Sequence, residues 1–131
     1  MTQDLLSFGR AIARLDEGWQ RYQQDTSDLQ IRDGLMQRFE FTYELCVKTI
    51  RRYFEQTLNS AETVRIMTFD QFIRHAYSLN LLNEEIAQWR NFREKRDSAY
   101  DEDNAPEVCA VIPAFLREIQ HLYSALETRQ P

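Results

Sequence analysis

Apolar side chains recur at intervals of three and four at Leu5, Phe8, Ile12, Leu15, Trp19 and Tyr22. That spacing keeps one face of a helix apolar and predicts an amphipathic helix from about 4 to 24. Ser27 and Gln30 have the spacing of a capping box, and the same rhythm resumes after them at Ile31, Leu35, Phe39, Thr42, Cys46, Ile50 and Tyr53. The second predicted helix therefore reaches almost to Leu58. Only Gln24 to Thr26 separate the two, so they are expected to pack antiparallel. Residues 59–63 show no period and are expected to form a loop. Thr68 with Gln71 opens a third helix through about Leu79, with Asn80 as its stop. Asn83, followed by Glu84 and Glu85, is expected to cap a fourth that runs to near Tyr100. Asp101-Glu102-Asp103 breaks it. Asn104 and Pro106 then open a fifth, whose stripe Val108, Ile112, Phe115, Ile119, Leu122 and Leu126 is the most regular in the chain. Pro113 is expected to kink it.

No stretch alternates with the period of a strand, and no internal repeat or low-complexity tract is present. The pattern predicts an all-α, up-and-down bundle of four to five helices, filling residues 1–131 as one domain. So many aromatic residues on long helices leave apolar surface to spare, and a symmetric dimer through helix faces is the expected way to cover it.

Composition narrows the function classes. The chain has 131 residues, 43% of them hydrophobic, three glycines and three prolines, which suits one core and not two. A net charge of −5 with both signs mixed through the chain excludes the global basicity of a duplex binder, so any nucleic-acid contact must be local. No apolar run has the length of a membrane span, and Met1-Thr2-Gln3-Asp4 lacks the features of a secretory signal; a cytoplasmic protein without membrane attachment is expected. Cys46 and Cys109 lie in apolar stripes with no Cys or His at metal-ligand spacing, so both are expected to be buried thiols. No metal and no cofactor is expected. Glycine-rich phosphate loops, His-Glu-x-x-His, Cys-x-x-Cys and Gly-x-Ser-x-Gly are all absent. His75 and His121 are isolated, as expected of solvated or hydrogen-bonded histidines.

Chemistry concentrates on the fourth predicted helix. Trp89, Arg93, Arg96 and Tyr100 fall within an arc of roughly 60° if the helix is continuous. A core-facing stripe with two unpaired arginines would carry several kcal/mol of penalty, so something must neutralise them. Three readings follow. Glu40 and Glu44, one turn apart on the second predicted helix, pair with Arg93 or Arg96 while the guanidiniums stack on Trp89 or Tyr100. Alternatively, the arginines line a cleft or dimer seam and hold phosphate of RNA or a nucleotide, with Tyr100 presented as a modifiable hydroxyl. In the third reading they point to solvent. Arg51 and Arg52, with Lys48 one turn earlier, read as a solvated basic face.

The string Gln37-Arg38-Phe39-Glu40-Phe41-Thr42-Tyr43-Glu44-Leu45 resembles the helix-two signature of the HEPN-type nucleotidyltransferase substrate-binding family. Trp89, then Phe92-Arg93-Glu94-Lys95-Arg96 and Tyr100-Asp101-Glu102, is similar to that family's Arg-Asn-x-x-x-His-x-Tyr-Asp-Glu segment. The resemblance covers nearly the whole chain. It implies a helical bundle that forms a homodimer and is encoded beside a minimal nucleotidyltransferase, its partner in a toxin-antitoxin module. It further implies that an Arg and a His from two protomers cleave RNA without a metal in active members, and that the motif Tyr is modified with AMP. Matched without a gap on Tyr100, the motif Arg is Arg93 and Ser98 stands where the family has His. If Arg96 is the motif Arg, the segment is three residues short and again has no His. Serine cannot replace imidazole near neutral pH. The expectation is a non-catalytic or degenerate member that dimerises and binds the nucleotidyltransferase as substrate-binding or modified partner. The alternative is a ribonuclease toxin that recruits His75 or His121.

Overall fold

The computed structural model describes residues 2–129, with side chains from Asp4 onward; Met1, at the head of the start segment read above, lies outside the described residues. The helices are α1 (Thr2–Gln24), α2 (Leu29–Thr57), α3 (Ala61–Arg65), α4 (Phe69–Ser78), α5 (Ile86–Ser98) and α6 (Ala105–Thr128), with a 3₁₀ turn at Glu102–Asn104. Among the described residues there is no strand, and the all-α bundle is as the periodicity predicts. The α1 stripe behaves as expected: Leu5, Phe8, Ile12 and Leu15 are buried, with Trp19 and Tyr22 packed against the core. α1 lies along α2, and α6 packs against both of them and against α5.

Several helix ends differ from expectation. α2 is capped by Asp28 and not by Ser27: the Asp28 carboxylate accepts from the N–H groups of Gln30 and Ile31 at 2.9 and 3.1 Å. A carboxylate at a helix N-terminus also meets the positive end of the dipole. Ser27 is instead engaged by Asp25, which takes its N–H and its hydroxyl. The expected loop at 59–63 holds the single turn α3, capped by Ser60. Five residues are too few to display a helical period. Thr68 and Gln71 form the capping box predicted for α4. Asn59 and Asn80 follow the ends of α2 and α4 with φ of 51° and 61°, the left-handed conformation that closes a helix and that Asn tolerates.

Asn83 does not cap α5; Glu85 occupies the cap position, without a side-chain bond. Leu81 and Leu82 are buried instead, and the Asn83 and Glu84 N–H groups donate to the carboxylate of Glu118 on α6. Asn104 sits at the cap of α6 without using its side chain on that helix, which continues through Pro113 to Thr128. Arg90 of α5 pairs with Asp70 of α4 and holds that carboxyl below its ordinary range.

The centre of the bundle is aromatic. Phe115 of α6 lies 5.1 Å from Phe39, 5.3 Å from Phe92, 6.1 Å from Tyr43 and 6.2 Å from Trp89, ring centre to ring centre. These contacts fix α5 against α2 and α6. Cys46 and Cys109 are buried free thiols, both pushed up in pKa by burial, as their stripes predict. Among the described residues, no helix is long and apolar enough to cross a membrane, and no three side chains are grouped to hold a metal ion.

Candidate functional site

The arc drawn through Trp89, Arg93, Arg96 and Tyr100 supposed a helix continuous to Tyr100. α5 ends at Ser98, and the chain turns: the Asp101 N–H and the Asn104 side-chain amide both donate to the Ser98 carbonyl. Trp89 is buried against Tyr43 and Phe92, with its indole N–H in no hydrogen bond among the described residues. Arg93 and Arg96 lie at the rim of the core. Tyr100, beyond the helix end, is 85% exposed and lines a different cleft.

The arginine cleft, of about 320 Å³, is lined by Arg93 and Arg96 of α5, Tyr43, Glu44 and Arg51 of α2, and Phe69 at the start of α4. Arg96 is neutralised within the chain. Its Nη1 is 3.4 Å from Glu44, its Nε is 2.9 Å from Asp97, and its guanidinium lies 4.9 Å from the Tyr43 ring centre. The Asp97 contact is an ion pair without hydrogen-bond alignment. Burial pushes the Tyr43 phenol well up, so Tyr43 is a neutral face for the cation, not a base. Arg93 lies 4.0 Å over the Phe69 ring, and Arg51 6.0 Å over Phe72. Among the described residues neither Arg93 nor Arg51 has a carboxylate at ion-pair distance. Glu44 thus pairs with Arg96 as one reading anticipates, but the rings beneath the arginines are Tyr43 and Phe69 and not Trp89 and Tyr100. The cleft can hold an anion on Arg93 and Arg51 above an aromatic floor.

The second cleft, of about 360 Å³, joins Tyr100 and Glu102 to Asp33, Gln37 and Glu40 of α2. Glu40 and Glu44 are one turn apart, and that turn divides the two clefts. Three carboxylates line the Tyr100 side, and two of them are paired with Arg32, Asp33 at 2.9 Å and Glu102 at 3.5 Å, while the phenol stays open to solvent.

Ser98 donates its hydroxyl to the Lys95 carbonyl at 3.3 Å. Neither histidine lines the arginine cleft. The His75 ring packs 4.6 Å from Phe54, with Nε2 buried in no hydrogen bond among the described residues, and His121 Nε2 lies 3.0 Å from the Asn80 carbonyl. Two residues matter more than their sequence context indicated. Arg51, which reads as part of a solvated face, joins the arginine cleft, and nothing local in sequence distinguishes it from Arg52, which pairs with Asp4. Glu118 is 3% exposed and holds the α4–α5 connection. Its signal was available: it follows Phe115 by three positions within an apolar stripe.

The family described as "Nucleotidyltransferase substrate binding protein like" matches residues 3–128. "Probable ribonuclease HepT" of Haemophilus influenzae is 30% identical over 99 residues, which is 73% of this chain and 67% of that protein. A solved Haemophilus influenzae structure, described as revealing the fold of a substrate-binding domain of a nucleotidyltransferase, matches with a TM-score of 0.81 at 27% identity. It covers 96% of this chain and 99% of that one.

Proposed function

As the chain belongs to the nucleotidyltransferase substrate binding protein like family, we propose that it is the helical partner of a minimal nucleotidyltransferase and presents Tyr100 to it for nucleotide transfer. One observation carries this reading: Tyr100 stands 85% exposed past the end of α5, beside the hydrogen-bonded turn at Ser98. The exposed phenol admits a single nucleotide brought in by the partner's own active site. The partner transfers a nucleotidyl group to the phenol oxygen, which loses its proton, and pyrophosphate leaves. The chain acts as one helical unit and as a homodimer, a state favoured by apolar side chains left open to solvent at Leu29 and Ile66. The name of the HepT relative motivates a second reading, cleavage of RNA. It is disfavoured because the Ser98 hydroxyl is engaged by its own helix and neither histidine lines the arginine cleft.

The test is to incubate the protein with the nucleotidyltransferase encoded beside it and a labelled nucleoside triphosphate, then map the product by mass spectrometry. The label is expected on Tyr100 and absent from Tyr100→Phe, which still co-purifies with the enzyme because an exposed hydroxyl contributes little to folding. Equal labelling of Tyr100→Phe would sink the proposal.

A further inference from the structure

A third cleft lies between α1 and α2, away from both of those described. It has a volume of about 650 Å³ and is lined by Arg10 and Arg14 of α1, by Arg38, Gln37 and Phe41 of α2, and by Ser7, with no carboxylate along it among the described residues. In a chain of net charge −5 this is an uneven placement of cations. Arg10 and Arg14 are one turn apart and repel each other. Among the described residues, neither has a carboxylate at ion-pair distance. Arg38 is fixed in place: its Nη1 donates to the Arg14 carbonyl at 2.8 Å. Gly18 leaves the room for this, since a Cβ there would meet Arg38 Nη1 at 3.2 Å. Phe41 is 60% exposed on the same groove, and Gly34 leaves the wall beside it open.

We infer that the α1–α2 groove binds a single-stranded nucleic-acid segment, with its phosphodiesters on Arg10, Arg14 and Arg38 and a base stacked on Phe41. Guanidiniums sharing a groove with an exposed ring suit a strand that carries both phosphates and bases. An acidic peptide would satisfy the arginines and leave the ring without a role. Gln37 and Ser7 add neutral hydrogen-bonding groups that tolerate any base. The Tyr100 cleft adjoins this groove through Gln37. The inference is independent of nucleotide transfer to Tyr100, and either can fail alone.

The experiment is fluorescence anisotropy of labelled 12-nucleotide RNA and DNA single strands of matched sequence, titrated with the full chain across a salt series. Binding is expected to weaken with salt, and Arg10→Gln/Arg14→Gln is expected to reduce the slope of log K against log salt by about 1.4. Phe41→Ala is expected to weaken binding about tenfold at constant slope. A charge-matched control, Arg65→Gln/Arg117→Gln, lies outside the groove and should leave the slope near that of the parent. Equal affinity for RNA and DNA would place recognition on the phosphodiester and base alone, whereas tighter RNA binding would add the 2′-hydroxyl. No binding of either strand at low salt overturns the proposal, as does a control double variant as weak as the groove variant. Sedimentation showing that the groove variant turns a dimer into monomers would likewise overturn it and make the groove a contact between copies.

Discussion

Glu118 is a carboxylate in the core, tolerated because two backbone N–H groups donate to it, from Asn83 at 2.5 Å and from Glu84 at 3.1 Å. Glu118→Ala leaves both donors without their acceptor and should destabilise the fold by roughly 2–4 kcal/mol in urea denaturation. Burial raises the Glu118 pKa, and the two N–H bonds only partly oppose the shift. The folded state therefore holds this proton more tightly than the unfolded chain does. Its contribution to stability is greatest below the ordinary glutamate pKa and is lost as pH rises through the elevated native value. Glu118→Gln, which keeps an acceptor oxygen, should cost less than Glu118→Ala and flatten that decline. A steeper decline in Glu118→Gln than in the parent would contradict this account. The stripe around Phe115 marks position 118 as inward-facing in sequence, but its partners, 34 and 35 positions earlier, belong to a connection that no local pattern describes.

At the level of the helices, periodicity locates the long segments well because a buried face must repeat every 3.6 residues or so. It locates their ends less well. Asp28 displaces Ser27 as the cap of α2 because the acceptor that wins is set by the path of the turn, and the turn ties Ser27 to Asp25. α5 stops two residues before Tyr100, and those two residues move the phenol out of the arginine cleft. Glycines inside helices test the packing of individual faces. At Gly34 of α2 an added Cβ would meet nothing within 4 Å, so Gly34→Ala should raise stability by about 1 kcal/mol through helix propensity. Gly9 of α1 faces the Tyr123 ring, where a Cβ would lie 2.9 Å from the nearest carbon. The same substitution there should instead lower stability by about 1 kcal/mol, as crowding outweighs propensity. Urea midpoints for the two variants moving in the same direction would show that this α1–α6 contact yields more readily than the packing implies.

Across the whole molecule, Phe115 is the point where α2, α5 and α6 meet, through Phe39, Tyr43, Trp89 and Phe92. Phe115→Ala should destabilise by about 3–5 kcal/mol, a large share of the roughly 5–15 kcal/mol that holds such a domain together. A loss under about 1 kcal/mol would mean that the cluster closes over the cavity. The sequence by itself determined the all-α class, the stripes of α1, α2 and α6, the buried cysteines and the family, because each depends on residues close together along the chain or on a contiguous string. It also singled out Arg93, Arg96, Tyr100, Glu40 and Glu44. Only the tertiary structure decided how they divide: Glu44 with Arg96, Glu40 with Tyr100, and Arg51 with Arg93. The physical reason is that a side chain's partners depend on where helices end and how they cross. Both follow from packing among residues far apart in sequence, such as Phe115 with Phe39, which no local spacing encodes.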